Sequence, residues 1–366
     1  PVVAGVRSAI PLDAKTTIIF LGDNLYKVGL PDDAVPFYNE KKAALDSQII
    51  IAKGTEAKVY FIPGNHDWDN GNPNGYEAIL REQRYVDAKG DKNVKFYPEG
   101  GCPGPVQISL SKDVTLIIFD SQWWLQQYDK PGIESDCPYK TKEEVLSQLD
   151  NILARNSGKL VLFACHHPFK SYGIHGGYFT IKQHIFPFTD YRPNLYIPLP
   201  IIGSVYPITR GIFGTAQDLH HPAYQNMVND LEKVFRQYSN VIFLAGHEHN
   251  LQYIKDSSNN DIITGSGTEK TRVSKNKKEL FGAEENGFAT LEISKNKNVQ
   301  LRFYTLSGDS VKTAYENHSI INFSKFPQEK KDTAKAIVTV PFKDSIVAAI
   351  SNNYNTASSF KKFFLG

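Results

Sequence analysis

The sequence predicts an α/β fold, and two observations carry that expectation. Five short runs rich in β-branched and aromatic residues each stop at a polar cluster: residues 17–21, 59–63, 115–119, 160–164 and 241–245. Continuous apolar runs of this length read as strands buried on both faces. Between them lie stretches with apolar residues at helical spacing, over residues 40–53, 75–88, 142–154 and 223–238. Strands alternating with helices are the pattern of an α/β sheet.

Each element follows from its residues. TIIFL at 17–21 runs into GDNLY, VYFIP at 59–63 into GNHD, and TLIIF at 115–119 into DSQ. LVLFA at 160–164 runs into CHHP, and VIFLA at 241–245 into GHEH. In the helical stretch 223–238, Met227, Leu231, Val234 and Phe235 share one face, which is a packing face. Three further strands are expected at 261–264, 287–293 and 299–304, alternating well enough to suggest antiparallel pairs. The stretch 176–221 interrupts the core and is rich in Tyr, Phe, Ile and Pro. A loop this long is a functional lid or disordered, and its aromatic content argues for order. The expected organisation is a main domain over residues 1–309, carrying that insert, and a β-rich extension or start of a further module over 310–366.

Bulk composition excludes several functions. Hydrophobic residues make up 41% and charged residues 22% of 366, which suits one large packed domain. A formal net charge of +2 gives no basic field for nucleic acid, so no nucleic-acid binding is expected. No apolar run reaches the ~18–20 residues of a membrane-spanning helix. There are three cysteines. Cys165 lies in an apolar run and reads as a buried thiol. Cys102 and Cys137 sit in the polar, Pro-flanked contexts GGCPGP and SDCPYK, where free thiols and a disulfide are the alternatives. A Cys102–Cys137 pair is expected, and with it an oxidising compartment.

The chemistry is concentrated at the strand ends, where open α/β sheets place their sites. The clusters offer Asp23 and Tyr26, Asn65 and His66, His166 and His167, then His247 and His249. Nine of the ten histidines fall between His66 and His249, and only His318 lies outside that range. Each cluster alone has a bland reading: GD as a turn, GNHD as a cap, HH as packed core histidines. Four such clusters, each after a buried strand, point instead to a metal centre. A carboxylate such as Asp23 can bridge two ions, and imidazole and amide ligands complete the shells without cancelling the ionic charge. Such a pair activates water, polarises a phosphoryl group and stabilises both in-line oxygens. Asp, His and Asn ligands suit Fe, Mn or Zn better than Mg or Ca. The chain has neither a GxxxxGK[ST] phosphate loop nor a GxSxG nucleophile turn.

Taken together, GD, GNHD, the His-bearing strand end and GHEH resemble the calcineurin-like metallophosphoesterases. The finer resemblance is to the purple acid phosphatases of the tartrate-resistant type. GDNLY is similar to that family's GDxxY, CHHPFKSYGIHG to its GHYPVWS…EHG segment, and GHEHNLQY with TGSGT to its GHDHNLQY and following SGAG. The resemblance covers residues 17–304, less the insert. It implies an αββα sandwich, two mixed β-sheets flanked by helices.

Carried across residue by residue, the resemblance implies that Asp23 bridges two metals. Tyr26 and His249 would bind Fe(III), and Asn65, His166 and His247 a divalent Fe, Zn or Mn. His66 and His175 would lie outside the metal shell, touching the phosphate and the leaving-group oxygen as catalytic residues. Asn65 would also meet the substrate. His167 stands where the family has an aromatic residue, and a packing role is expected for it. The family's first motif, an Asp on a strand several dozen residues before GDxxY, has no counterpart here. Only 22 residues precede Asp23, and their one acid, Asp13, is in a PLDAK turn. The first strand and its Asp are therefore expected upstream of Pro1.

The function expected is hydrolysis of phosphate monoesters by metal-activated hydroxide. The alternatives are a phosphodiesterase or nucleotidase, and a non-catalytic subunit of an outer-membrane assembly that keeps the fold. The expected partner is a phosphate ester. Some bacterial envelope proteins resemble such a phosphoesterase joined to a barrel, so an envelope partner or fused barrel is a further expectation. The expected location is extracytoplasmic: periplasmic, outer-membrane associated or secreted. The insert 176–221 carries His184, Arg192, Arg210, His220 and His221 and is expected to roof the site.

Overall fold

The computed structural model describes residues 1–179, 181–189, 194–199, 204–205, 214–256, 259–275, 278–308 and 310–326. The first compact unit runs from Pro1 to Gln328. In chain order its elements are α1 (Val2–Ala9), β1 (Thr17–Phe20), α2 (Tyr38–Ile49), β2 (Lys58–Phe61), α3 (Gly75–Lys89), β3 (Val94–Phe96), β4 (Val106–Ser111), β5 (Val114–Ile118), α4 (Ser121–Leu125), α5 (Lys142–Arg155), β6 (Leu160–Ala164), α6 (Ile181–Ile185), α7 (Pro222–Phe235), β7 (Val241–Ala245), β8 (Leu251–Lys255), β9 (Asn260–Thr264), β10 (Glu279–Ala283), β11 (Gly287–Ile293), β12 (Asn298–Ser307) and β13 (Ser310–Asn322). The α/β class expected from the strand and helix pattern is the one observed.

The strands form three sheets. A seven-stranded mixed sheet has the order β10-β8-β9-β7-β6-β5-β4, with β5, β6, β7 and β9 parallel. β1, β2 and β3 form a parallel sheet, and β11, β12 and β13 an antiparallel one. Burial explains the apolar runs. Along β6, Val161 and Phe163 pack with α5 and α7 side chains such as Leu149, Leu153, Met227 and Phe235. Leu160, Leu162 and Ala164 pack the other way, against Val299, Leu301 and Phe303 of β12. A central strand with apolar residues on both sides must be covered on both sides. Each large side chain so buried contributes about 1.5–3 kcal/mol.

Local signals set the helix ends. Thr141 caps α5 in a reciprocal capping box with Glu144. Pro222 opens α7, and the His221 side chain accepts from the Ala223 N–H, so this insert histidine serves as a cap. Cys102 and Cys137 are joined, with Cα atoms 5.6 Å apart, tying the loop before β4 to the approach to α5.

Two sequence expectations change in detail, and the antiparallel sheet extends beyond residue 309. β1 was expected to be buried on both faces, yet all four of its residues are half-exposed, because it is the edge of its sheet. β9 does not pair with β11 or β12; it lies parallel to β7 and antiparallel to β8. Residues 310–322 pair along β12, so strand pairing carries the first unit past the composition change near residue 309. The strand-like runs at 336–342 and 345–351, like Arg192 and Arg210 of the insert, lie outside the described residues. Among the described residues no helix is long and apolar enough to cross a membrane.

Candidate metal centre

All nine residues singled out at the strand ends and in the CHHPFKSYGIHG segment are described, and the structure gathers them. Asp23 and Tyr26 follow β1, Asn65 and His66 follow β2, His166 follows β6, and His247 and His249 follow β7. β1 and β2 run parallel, as do β6 and β7, so within each sheet the C-terminal ends deliver their loops to one side. The glycines of GD and GN are steric requirements. Gly22 has φ +87°, and a Cβ there would sit 2.5 Å from His166 Nδ1. A Cβ on Gly64 would sit 2.3 Å from Asp23 Oδ1. Asp23 and His247 themselves hold φ of 54° and 66°, a left-handed conformation that residues other than glycine keep where the surroundings enforce it.

One half of the centre is made by Asn65, His166 and His247. His166 Nε2 lies 3.0 Å and His247 Nδ1 3.1 Å from Asn65 Oδ1, and the two ring nitrogens are 3.2 Å apart. The far nitrogen of each ring is already engaged: His166 Nδ1 with Leu21 O at 2.7 Å, and His247 Nε2 with Gln217 O at 2.7 Å. A carbonyl accepts only, so each far nitrogen must be the protonated donor. Deeply buried, His247 is held well below the ordinary imidazole value by desolvation and by His175, His167 and His166, so its Nδ1 is a bare lone pair. Two imidazole nitrogens and an amide oxygen thus converge on one point. That donor set fits a borderline metal ion, and the backbone carbonyls behind the rings are the outer partners that metal-bound histidines carry.

Asp23 joins this half to the other. Its Oδ2 lies 3.3 Å from His166 Nε2 and accepts from Tyr26 Oη at 3.2 Å, while Oδ1 accepts from the His66 N–H at 2.9 Å. Burial pushes the Asp23 carboxyl up, but the charge and hydrogen bond of His166, with His66, hold it well below the usual carboxylate range. Burial likewise works against a charged His166, and Asp23 reverses this, leaving His166 raised. The pair holds each other charged where an ion would displace the proton. On the other side Tyr26 Oη lies 3.1 Å from His249 Nε2, and His249 Nδ1 lies 3.1 Å from Glu269 Oε2. Tyr26 is raised by burial and by Asp23, so its phenol stays protonated until a cation arrives.

The remaining histidines divide by role. Three histidines, His166, His167 and His247, have nitrogens within 4.8 Å of one another. Both nitrogens of His167 are engaged, however: Nδ1 with Ser121 Oγ at 2.8 Å and Nε2 with Gln217 Oε1 at 2.7 Å. Asn65 Oδ1 is therefore the third donor atom that faces both His166 and His247, and His167 supports the wall. His66 sits at the rim, its Nδ1 on Lys27 O and its Nε2 4.0 Å from Asp23 Oδ2. His175 packs against His247, with ring centroids 4.1 Å apart and planes tilted by 36°.

Several supporting residues carried no assigned role in the sequence reading. Asp67, fourth in GNHD, accepts from the N–H groups of Gly64, Asn24 and Leu25 and so ties the two ligand loops together. Burial and the Asp23 charge push it up to about 7 against those hydrogen bonds. Its position in the motif was the available signal. Gln217, Asp218 and Glu269 lie in stretches without a motif.

Beside the Tyr26 half the site opens. A groove of about 2180 Å³ runs along β1 and β11 and reaches Gly22, Asp23, Tyr26 and Gly265. β1 and β11 are each the outer strand of their sheet, so the groove is lined by two unpaired strand edges among the described residues.

These features define a class. The chain belongs to the calcineurin-like phosphoesterase family, whose sequence profile matches residues 6–197. Its structure is similar to GAP50, the anchor in the inner membrane complex of Plasmodium, at 17% identity and a TM-score of 0.49, covering 86% of this chain and 80% of that one. It is also similar to purple acid phosphatase PPD1 from yellow lupin (Lupinus luteus) seeds, at 14% identity and a TM-score of 0.48, covering 85% and 47%. PhoD is similar at 11% identity and a TM-score of 0.46, covering 82% and 63%. The chain thus spans about half of the lupin enzyme and under two thirds of PhoD. Comparison with curated protein sequences gives no match.

Proposed function

We propose that this chain forms the body of a two-metal phosphatase that hydrolyses phosphate monoesters outside the cytoplasm. The observation that carries the reading is the convergence of Asn65 Oδ1, His166 Nε2 and His247 Nδ1, joined through Asp23 to Tyr26 and His249. Asn65, His166, His247 and Asp23 would hold a divalent Fe, Zn or Mn, and Asp23, Tyr26 and His249 would hold Fe(III). Bound there, the ions supply Lewis acidity toward a phosphoryl oxygen and a nucleophile from water at neutral pH.

The protein's own groups do the rest. Asp23 is held ionised by its neighbours and links the two ligand sets. His66, at the rim, is placed to meet a phosphate oxygen. His175 flanks the His247 side and is placed to serve the leaving oxygen. The groove fits a further strand, laid between the free edges of β1 and β11. A carboxylate at the end of such a strand would complete the Tyr26 half. The Cys102–Cys137 bond supports an extracytoplasmic location, since disulfides persist in oxidising compartments. An envelope partner remains part of this reading.

The test is metal content and turnover on the same preparation. Metal-loaded protein is expected to hydrolyse p-nitrophenyl phosphate faster than bis-p-nitrophenyl phosphate, and Asp23→Ala to remove both metal and turnover. A preference for the diester would establish the phosphodiesterase reading instead. Full metal content with no turnover of either ester would establish a binding platform.

A further inference from the structure

The far end of the insert returns to the site as a braced turn. Gly214 stands at its start with φ +66°. The Asp218 N–H donates to Thr215 O at 2.9 Å, and Asp218 Oδ2 accepts from the Thr215 N–H at 2.7 Å and its hydroxyl at 2.9 Å. Asp218 is 1% exposed, so this carboxyl is fixed by its own turn and shielded from water. Its other oxygen, Oδ1, lies 2.8 Å from His175 Nδ1. The main chain adds two links: the Leu219 N–H donates to His175 O at 2.8 Å, and Gln217 O takes the His247 ring at 2.7 Å.

The loop that carries His175 is held from the opposite side. Glu248, between the two ligand histidines of GHEH, accepts from Ser171 Oγ at 2.5 Å and from the Gly176 N–H at 3.2 Å. A Cβ on Gly173 would sit 2.2 Å from the Glu248 carboxyl, so glycine is what lets that side chain through. The His175 ring is therefore fixed in three ways: by its loop, by its tilted contact with the His247 ring, and by Asp218.

A buried carboxyl bound to one imidazole nitrogen sets the tautomer and the plane of the ring. We propose that Asp218 is a positioning residue for His175. It holds the Nδ1–H so that Nε2 delivers a proton to the departing oxygen of phosphate monoesters with poor leaving groups, such as alkyl phosphates. The P–O bond to the leaving group breaks as a water oxygen bonds phosphorus. The doubly protonated His175 ring gives its Nε2 proton to the departing oxygen and keeps its Nδ1–H on Asp218, and the proton lost by water returns to Nε2. The products are an alcohol and inorganic phosphate. This inference rests on the monoesterase reading above.

The test compares Asp218→Asn with wild type on metal-loaded full chain, using p-nitrophenyl phosphate and glycerol 2-phosphate. A p-nitrophenolate departs without a proton, whereas an alkoxide needs one. General acid catalysis contributes about 10²–10⁴-fold, so Asp218→Asn should lower kcat for the alkyl ester at least about tenfold more than for the aryl ester. His175→Ala should show the same selective loss, and the double variant should be no worse than His175→Ala. Equal losses on both esters, or additive effects in the double variant, would overturn the proposal. A second readout needs no turnover: in ¹⁵N-imidazole NMR, His175 Nδ1 should stay protonated in both the neutral and the cationic ring, and Asp218→Asn should shift that signal. A His175 protonated on Nε2 alone would also overturn it. Wild-type protein inactive on both esters would sink the monoesterase reading, while the NMR result would still decide how Asp218 acts on the ring.

Discussion

On one side of Asp23 the donor atoms of Asn65, His166 and His247 are buried, and each ring is tied to a main-chain carbonyl. On the other side Tyr26 and His249 stand near an open groove, and the brace on His249 is Glu269, whose side chain is 62% exposed. The first half owes its rigidity to the sheets, since His166 and His247 follow neighbouring central strands of the seven-stranded sheet. In the second half His249 shares the β7 turn with His247, but Tyr26 follows β1, a half-exposed edge strand. A preorganised ligand set binds with less ordering cost than one that must be assembled. The halves should therefore fill in order, the Asn65 half first.

Removing the shared ligand should have the largest effect. Asp23→Ala deletes the one carboxylate that reaches both halves and leaves His166 without its counter-charge. Outer partners alone are worth about 10–100-fold in metal affinity. Loss of this inner ligand should exceed about 100-fold, read as a rise in Kd by competition with a chelator. Ligand replacements on the two sides should then be unequal. His166→Ala should cost more than about 100-fold in Kd for the first ion, and His249→Ala less than about tenfold. Equal losses would break the comparison.

The pH dependence sharpens the same contrast. Asp23 is lowered and His166 raised in the metal-free protein. The contribution of the depressed Asp23 is present above the ordinary carboxylate value of 3.8 and is lost as pH falls through its folded value. That of the raised His166 is full below the ordinary value of 6.5 and is lost as pH rises through its folded value. Metal-free protein should thus lose part of its stability as pH climbs above 6.5, in the range where the ion no longer competes with a proton. The gain in Tm on adding metal should grow with pH across that range. A constant gain would mean that His166 is not the group the ion deprotonates.

Much of this was legible in the sequence where local rules decide. β6 and β7 lie at the ends their apolar runs predict, because central strands need apolar residues on both faces. The ligand loops were legible because glycine, Asp, Asn and His recur after those strands. The bracing was not. Gln217 acts on His247 through its carbonyl oxygen, which any residue possesses, and Asp218 acts through a turn formed 43 positions after His175. The exposure of β1 was also hidden, since an edge strand and a central strand share the same composition when the groove beside them is apolar.

Two smaller effects test the scaffold rather than the centre. Cys102 and Cys137 are 35 positions apart, and closing a loop of that length is worth about 2–4 kcal/mol. The double Ser variant should lose that much stability in denaturant melts while binding the first ion unchanged. Glu82 is fully buried beneath the ligand loops, bonded to Asn24 Nδ2 at 3.2 Å, and burial with the Asp67 charge raises it well above the ordinary carboxyl value. A carboxyl already kept neutral should tolerate Glu82→Gln at less than about 1 kcal/mol, whereas Glu82→Ala should cost about 1–3 kcal/mol by removing a buried partner of Asn24 Nδ2. A large loss in Glu82→Gln would show that Glu82 is ionised.

The central claim, that the converging donor atoms of Asn65, His166 and His247 form a metal site, is tested most directly by anomalous X-ray scattering from zinc-soaked crystals. A zinc ion is expected about 2.0–2.2 Å from Asn65 Oδ1, His166 Nε2, His247 Nδ1 and an Asp23 oxygen, with His167 outside the shell. An ion bound to His167, or no ion between these residues at saturating zinc, would contradict it.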